Sequence, residues 1–436
     1  MVDLSVIVLT CNRTERCVDS VWHNTLCLQG TKSEVIVVNN GGEPLKLLPS
    51  AIAGIPCKVL NLPENIGVVA KNRAIDVAAG KYLLILDDDS YISPGLAEKM
   101  INSFNAEPFV AAVAFPVCND SGEEEGCLLP TIFHGCVCGF RKDLLIKAGG
   151  YPEDFTYYGE EYDLAFRIYQ MGYKIAFCNL RYSVRHARDT QGRDKNRIIK
   201  MLVQNNVKVC LSYFPLTYIP SAIFDVLYRY NKVAKKEKAE RGFKEGILNL
   251  SSITCQTLNA GRKPIEKHIF RKILLMDQVE NIAAIIKQMG KPPLVICGIG
   301  KFPSIWLKIF KRRGIKPVSF WDFNSCWLGS KIKGIPLITI DPHNPDLPPV
   351  PVDAVWLLGL ASLPENKMWL QILADKLSKG KGSSPALPHI NNAAKDASAG
   401  IIDMGETFPL QLISSKNLAI PDDIRYGIHI ANGKRH

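Results

Sequence analysis

Two clusters of carboxylates stand out as able to do chemistry. Asp87-Asp88-Asp89 directly follows the apolar run Leu83-Leu84-Ile85-Leu86. A strand ending there sets acidic side chains at the carboxyl edge of a sheet, where open α/β sheets take their ligands. Adjacent carboxylates repel. A hard divalent cation relieves that repulsion and can bridge the oxygens of a diphosphate. The competing reading is a strand-to-turn junction with solvated aspartates, since Asp favours turns. Glu160, Glu161 and Asp163 open a helical pattern over Glu161–Met171. The helix dipole favours carboxylates there with or without catalysis. Downstream, His186 lies in Tyr182-Ser-Val-Arg-His186-Ala-Arg188, and His134 precedes Gly135-Cys136-Val137-Cys138-Gly139. Arg185, Arg188 and Arg193 read either as phosphate contacts or as a solvated basic face.

The elements that must position these groups are legible as short apolar runs alternating with helical spacing. Leu4–Leu9, Glu34–Val38, Lys58–Leu60 and Tyr82–Leu86 read as buried strands, with helices expected over Thr14–Leu26 and Ile66–Ala79. Such alternation implies a parallel α/β sheet. Residues 109–185 read as a less regular second half, and 194–290 as mostly helical and basic. A new α/β unit starts near Pro292: a strand at Leu294–Cys297, the turn Gly298-Ile299-Gly300, a helix over Pro303–Arg313, then strands at Val318–Trp321, Ile335–Ile340 and Ala354–Leu358. The Gly-, Ser-, Pro-, Ala- and Asn-rich stretch 378–400 reads as a linker.

Several ordered motifs resemble the family 2 glycosyltransferases, which have the GT-A fold. The resemblance covers about Leu4 to Pro215. Leu4-Ser-Val-Ile-Val-Leu-Thr-Cys-Asn-Arg13 resembles the family's first strand and nucleotide loop, and Glu34-Val-Ile-Val-Val-Asn-Asn-Gly-Gly42 its second. Asn65-Ile-Gly67, Ala70-Lys-Asn72 and Ala79-Gly80 lead to Asp87-Asp88-Asp89 at the DxD position. Gly149-Gly150-Tyr151, then Gly159-Glu160-Glu161-Tyr162-Asp163 with Arg167 and Gly172-Tyr173, resemble the GED-containing helix. The resemblance implies an inverting transfer from a nucleotide-diphosphate sugar to an acceptor hydroxyl. It implies Glu161 as base with Glu160 as alternate, and Asp89 and His186 as holders of Mn²⁺ or Mg²⁺. Asp87 and Asp89 share the ribose and metal contacts, and Thr10, Asn12, Arg13, Asn39, Asn40, Lys71, Asp87 and Asp88 are carried over to the nucleotide-sugar side. Asp88 by itself reads as a solvated turn carboxylate pointing away, because neighbours on an extended segment face opposite sides. The chain departs from the family at Leu9, where Pro is usual, at Cys11, where an aromatic is usual, and at Asn39. That Asn replaces an Asp that contacts the nucleotide base, although an amide can both donate and accept.

The whole reads as an α/β protein. A GT-A domain covers 1–205, a helical, basic connecting region 206–290, and a smaller Rossmann-like α/β domain 291–378, with 379–436 unassigned. The 436 residues carry 53 Lys and Arg against 42 Asp and Glu, which favours anionic partners. Those expected are a sugar nucleotide and a glycan or lipid-linked acceptor, in cell-surface polysaccharide synthesis. Nucleic acid is disfavoured because the basic residues lack an aromatic platform. Thirteen scattered cysteines suit a reducing compartment. Met1–Leu9 has no signal-peptide pattern and no apolar run reaches bilayer length, so a cytoplasmic protein is expected. Peripheral contact with the inner face of a membrane through 211–245 competes with an internal packing helix followed by a solvated basic one. Two other functions compete: a non-catalytic sugar-nucleotide or glycan-binding module with a decayed site, suggested by Asn39, and a nicotinamide-dependent enzyme using residues 292–375. The second is opposed by Pro303, where a third glycine belongs, though Asp322 could hold a ribose.

Overall fold

The computed structural model describes residues 2–45, 48–122, 124–125, 129, 131–178, 183–187, 194–341, 347–349 and 354–358, with short pieces at 368–369, 372–373, 402–403 and 411–414. They fall into two compact units, one of residues 1–125, 132–194 and 400–404, the other of 126–131, 195–399 and 405–436.

In chain order the strands of the first unit are β1 (Leu4–Thr10), β2 (Ser33–Asn40), β3 (Ala51–Ile52), β4 (Ile55–Leu62), β5 (Tyr82–Asp87) and β6 (Ser90–Ile92). They continue as β7 (Val110–Ala114), β8 (Val117–Cys118), β9 (Glu124–Glu125), β10 (Val137–Arg141), β11 (Lys174–Phe177) and β12 (Val184–His186). A two-residue strand at Ile402–Asp403 edges the main sheet, followed by β11-β7-β10-β5-β1-β2-β4-β3. β5, β1, β2 and β4 are mutually parallel, as the alternating pattern implies. The sheet is mixed rather than parallel, because β10 inserts antiparallel between β5 and β7. No helix is found between β7 and β10 among the described residues, and a parallel return needs a long crossover.

Helices α1 (Thr14–Leu26), α2 (Ala70–Val77), α3 (Leu96–Ala106), α4 (Lys142–Lys147) and α5 (Glu160–Gln170) complete this unit. α1 has the expected bounds. The helix expected over Ile66–Ala79 is shorter, because its first turn is a 3₁₀ turn at Gly67–Val69 and Ala78 is already extended. Leu4, Val6 and Val8 share a core with Val35, Val37, Leu84, Leu86, Met100 and Phe104. Each such side chain withdrawn from water contributes about 1.5–3 kcal/mol.

Register builds the site. Leu9 pairs with Asp87 and Thr10 with Asn39, so the carboxyl ends of β1, β2 and β5 lie side by side. A second, small sheet has the order β6-β12-β8-β9. It sets His186 opposite Ser90, immediately after the acidic triplet, and Glu125 opposite Val117.

The second unit contains α6 (Lys195–Tyr213), α7 (Ile219–Lys236), α8 (Glu240–Leu248), α9 (Leu250–Asn259), α10 (Lys267–Ile273) and α11 (Met276–Gln288). β13 (Leu294–Cys297), α12 (Pro303–Arg312), β14 (Ser319–Asp322), β15 (Lys331–Ile332), β16 (Ile335–Thr339) and β17 (Val355–Leu358) follow. The sheet order β15-β16-β14-β13-β17 ends on a strand at Gln411–Ser414. β16, β14, β13 and β17 are parallel, and their order is that of one half of a doubly wound sheet. The division differs from a boundary at 205: α6 runs unbroken from Lys195, and the helices group with the second sheet instead of forming a separate connector. The stretch 378–400 lies outside the described residues.

Pro215 separates α6 from α7, and Pro220 sits in the first turn of α7, where its missing N–H costs nothing. Ala222, Val226, Tyr230 and Ala234 of α7 are buried, so the apolar face of this helix is used in packing. Lys235, Lys236, Lys238, Arg241 and Lys244 are exposed. Among the described residues no helix is long and apolar enough to cross a membrane, and no disulfide is formed.

Gly80 gives a direct test of how β5 is seated. A Cβ there would stand 2.4 Å from the backbone nitrogen of Ser5, while the Gly80 N–H donates to Ser5 Oγ at 2.8 Å. Gly80→Ala is expected to destabilise the first unit by about 1–3 kcal/mol, the usual range for overpacking. A lowered urea midpoint measures this, and an unchanged midpoint would show that the close approach is not required.

Candidate active site

The three aspartates at the end of β5 point to three different partners. Asp87 is half-buried and its Oδ1 receives Lys71 Nζ at 3.2 Å. Lys71, in the first turn of α2, is 2% exposed. It also donates to the Gly135 carbonyl at 3.4 Å and stands 5.2 Å over the Tyr151 ring. Burial acts against its charge, but Asp87 outweighs this and the ammonium is held well above its ordinary range. In this arrangement the Lys71 ammonium is engaged by Asp87 and by the Gly135 carbonyl.

Asp88 corrects the reading of a solvated turn carboxylate. It is fully buried. Thr10 Oγ1 donates to its Oδ2 at 2.6 Å and Arg13 Nε does so at 3.1 Å. Arg13 Nη2 pairs with its Oδ1. Burial pushes this carboxyl up to about 7 in spite of Arg13 and Thr10. The backbone turns immediately after β5, so strand alternation no longer decides where Asp88 points.

Asp89 is also buried, and its two oxygens are divided. Oδ2 takes Arg13 Nη1 at 2.9 Å, and Oδ1 faces His186 Nε2 at 3.3 Å. Burial acts to raise this carboxyl, but His186 and Arg13 prevail and bring it down to about 2. On its other side the His186 ring meets Glu125 Oε2, 3.2 Å from Nδ1. Burial works against the imidazolium, yet the bonds to Asp89 and Glu125 raise His186 to about 9.

The amides of β2 brace the site. Asn40 is fully buried. It donates to Asn65 Oδ1 and the Gly67 carbonyl, each at 3.0 Å, and accepts from Ile66 N–H at 3.0 Å. Its amide ties the end of β2 to the loop at 65–67. Asn39 donates to the Glu43 carbonyl at 2.8 Å and to Asn61 Oδ1 at 2.9 Å. That Asn61 oxygen also receives Leu45 N–H at 2.9 Å. Asn12 is exposed, with a left-handed φ of 54°. Gly42, at φ +89°, leaves it room: a Cβ there would lie 2.0 Å from Asn12 Oδ1.

At the start of α5, Glu160 is buried and Glu161 is half-buried. Burial and the neighbouring Glu161 raise the Glu160 carboxyl, and Lys71 and Asp87 lie within electrostatic reach. Its Oε2 has no hydrogen-bond partner among the described residues. Glu161 Oε2 accepts from Gly159 N–H at 3.0 Å, a local cap of the helix. Asp163 pairs with Arg167 one turn on.

Beside the acidic triplet lies a cleft of about 810 Å³, lined in part by Asn12, Arg13, Arg16, Tyr91, Asp120 and Arg185. Arg185 packs 4.0 Å over the Tyr91 ring and pairs with Asp120 at 2.9 Å. Arg188 and Arg193 lie outside the described residues. The His134 ring contacts the Glu125 carbonyl at 3.2 Å. Sequence reasoning missed Glu125, Asn61 and Tyr157, whose hydroxyl reaches Asn65 Oδ1 at 3.0 Å. None of them sits in a motif; only pairing across the fold brings them in.

The donor set fits a hard divalent cation. Asp89 Oδ1 and His186 Nε2 stand 3.3 Å apart across a hydrogen bond, a carboxylate oxygen and an imidazole nitrogen whose shared hydrogen an ion would replace. An imidazole among the donors suits Mn²⁺ better than Mg²⁺. Among the described residues no group of three or more such ligands is assembled. An ion here would therefore rest on two protein ligands and on the oxygens of a diphosphate, as such ions often do.

In the second unit, the positions that a dinucleotide would use are taken by the chain itself. The N-terminus of α12 follows Gly298-Ile299-Gly300 and is where a pyrophosphate would bind. Asp225 of α7 occupies it, accepting Ser304 N–H at 2.9 Å and Ser304 Oγ at 2.6 Å. Arg229, one turn along α7, donates to the Gly300 carbonyl. Asp322 is not available to a ribose: its oxygens accept Ile299 N–H at 3.1 Å and Asn324 N–H at 2.9 Å.

Residues 5–145 match the family model described as Glycosyl transferase family 2. A curated relative, the uncharacterized glycosyltransferase YwdF of Bacillus subtilis (strain 168), is 31% identical over 111 residues, which is 24% of this chain and 40% of that protein. The chain thus spans about 40% of the length of this relative. Among solved structures, S. aureus TarS 1-349 in complex with UDP-GlcNAc aligns at 14% identity over 72% of this chain and 92% of its own, with a TM-score of 0.46. The mannosyltransferase PcManGT of Pyrobaculum calidifontis, in complex with GDP-Man and Mn²⁺, aligns at 18% identity over 71% and 86%, with a TM-score of 0.39.

Arg13 is the shared counter-charge of Asp88 and Asp89. Arg13→Ala leaves both buried carboxylates short of a partner and is expected to cost about 1–3 kcal/mol. Arg13→Lys is expected to recover less than half, because one ammonium cannot reproduce a fork that spans two carboxylates. Urea denaturation of the three proteins decides; equal midpoints for Arg and Lys would show that charge alone suffices.

Proposed function

With a family 2 glycosyltransferase domain over residues 5–145 as premise, we propose that the protein transfers a sugar, with inversion, from a nucleotide-diphosphate donor to a hydroxyl of a glycan or lipid-linked acceptor in cell-surface polysaccharide synthesis. The observation that carries this reading is the Asp89–His186 pair set beside the open ends of β1 and β2, with the Glu160–Glu161 pair at the start of α5. Asn12 and Asn39 serve the nucleotide; the Asn39 Oδ1 is left to accept from the base. Asp87, the most exposed of the three aspartates, takes the ribose.

Asp89 and His186 would hold Mn²⁺ or Mg²⁺, and the ion would supply charge compensation for a leaving diphosphate. Arg13 keeps Asp89 ionised and turned so that only Oδ1 faces His186. Two neighbouring carboxyl groups in different surroundings divide acid and base roles. Glu160, buried and raised, keeps its proton and orients a hydroxyl. Glu161, half-buried at the helix N-terminus where negative charge is favoured, accepts the proton of the acceptor hydroxyl. The decayed-module reading rests on Asn39 alone, and an amide whose oxygen is still available does not require it. The nicotinamide reading is opposed by Asp225 at the α12 N-terminus. A peripheral place on the inner face of a membrane is supported by the exposed lysines at the end of α7; sedimentation with anionic vesicles that is no greater than with neutral ones would remove it.

Screening nucleotide-sugar hydrolysis and transfer across a donor panel, with Mn²⁺ or with EDTA, tests the main proposal. EDTA is expected to abolish donor binding and Asp89→Ala to remove turnover; unchanged donor affinity in EDTA contradicts the metal assignment. Glu161→Gln is expected to lower transfer about 10²–10⁴-fold, the usual value of a general base, with donor affinity near that of the wild type. Glu160→Gln is expected to be milder. The reverse order of the two variants would exchange their roles, and full transfer by both would return the binding-module reading.

A further inference from the structure

We infer that Glu125 is a positioning residue for the metal-binding imidazole of His186, a role that rests on the metal reading of the Asp89–His186 pair. Glu125 Oε2 stands 3.2 Å from Nδ1, while Nε2 faces Asp89 Oδ1 at 3.3 Å. The three side chains are 12%, 13% and 2% exposed, so water competes little for these bonds. A carboxylate only accepts, so without an ion both ring nitrogens carry hydrogen, Nε2 toward Asp89 and Nδ1 toward Glu125. An ion beside Asp89 displaces the Nε2 hydrogen, and Glu125 keeps the remaining one on Nδ1. In the neutral ring that binds an ion, the lone pair is then on Nε2, the nitrogen beside Asp89. Without Glu125 the ring can take the other tautomer, or turn, and present N–H where an ion needs a lone pair. Glu125 is itself held at two points. Its backbone pairs with Val117 on β8, which pairs in parallel with Val184 of the His186 strand. Its carbonyl meets the His134 ring at 3.2 Å. This also gives His134 a part in the site, one step removed from the donor.

The test is Mn²⁺ affinity of the full chain by titration calorimetry, with MnCl₂ alone and with MnCl₂ plus UDP. Glu125→Ala is expected to weaken Mn²⁺ about 10–100-fold, the usual effect of losing the partner of a metal-bound histidine. Glu125→Gln keeps an acceptor oxygen at the same reach and is expected to retain most of the affinity. Glu125→Asp keeps the charge but withdraws it by one methylene, and is expected to lose more than Gln. In a His186→Ala background, removing Glu125 is expected to cost nothing further, since the two act as one unit. Wild-type affinity in Glu125→Ala overturns the inference. So does an affinity order with Asp above Gln, which would mean that Glu125 acts by charge, or an undiminished loss in the His186→Ala background, which would mean that it acts on the ion or the fold directly. Should Glu125→Ala melt early, the Gln–Asp comparison still decides. A wild type that takes up no Mn²⁺ in either condition removes the metal reading itself, an outcome distinct from all of these.

Discussion

Three consecutive carboxylates at the end of a buried strand impose the constraint from which the rest of this site follows. Ionised side by side without partners, they would repel each other at close range in a medium that screens poorly. The first unit resolves this with three cationic side chains: Lys71 from α2 at Asp87, Arg13 from the loop before α1 shared by Asp88 and Asp89, and His186 from β12 at Asp89. Lys71 is held by burial and His186 by strand pairing. The distribution leaves one edge of Asp89 facing an imidazole.

Much of this was readable from the chain because it is local. The strand at 82–87, the acidic triplet after it and the helix at 160–170 depend on patterns within a dozen residues, and they form where expected. Partnership was not readable. Lys71 and Asp87 are 16 residues apart and Thr10 and Asp88 are 78 apart; their meeting depends on register across parallel strands. Asn40 sits in a motif, and the partners of its amide in the loop at 65–67 appear only in the fold. Glu125 belongs to a run of glutamates with no periodicity, and it reaches the site through a two-residue strand that only tertiary pairing stabilises. In the second half, the apolar stretch 211–230 was open to two readings. Only the structure shows its buried face, because an amphipathic helix has the same spacing whether it meets a core or a surface.

The second unit shows how a strand order can persist while a binding position is put to another use. The turn after β13 keeps Gly298 and Gly300, both with positive φ, and the helix after it offers free N–H groups as such helices do. A carboxylate from α7 accepts one of them, Ser304 N–H, together with the Ser304 hydroxyl. Arg229 from the same helix takes the Gly300 carbonyl and stands 5.0 Å from the Trp327 ring, so two residues one turn apart fasten α7 to the turn. The family match ends at residue 145 and says nothing of this part.

The hydrogen-bond chain around Asn39 has a direction. Leu45 N–H fixes the Asn61 oxygen as an acceptor, so Asn39 must donate to it, and its remaining amide hydrogen goes to the Glu43 carbonyl. A carboxylate at position 39 would face two acceptors with nothing to give. To accommodate it Asn61 would have to turn its amide around, which abandons Leu45 N–H. An aspartate at position 39 would therefore fit only if the loop at 43–45 were rebuilt as well, so the identity of residue 39 is tied to the backbone of that loop.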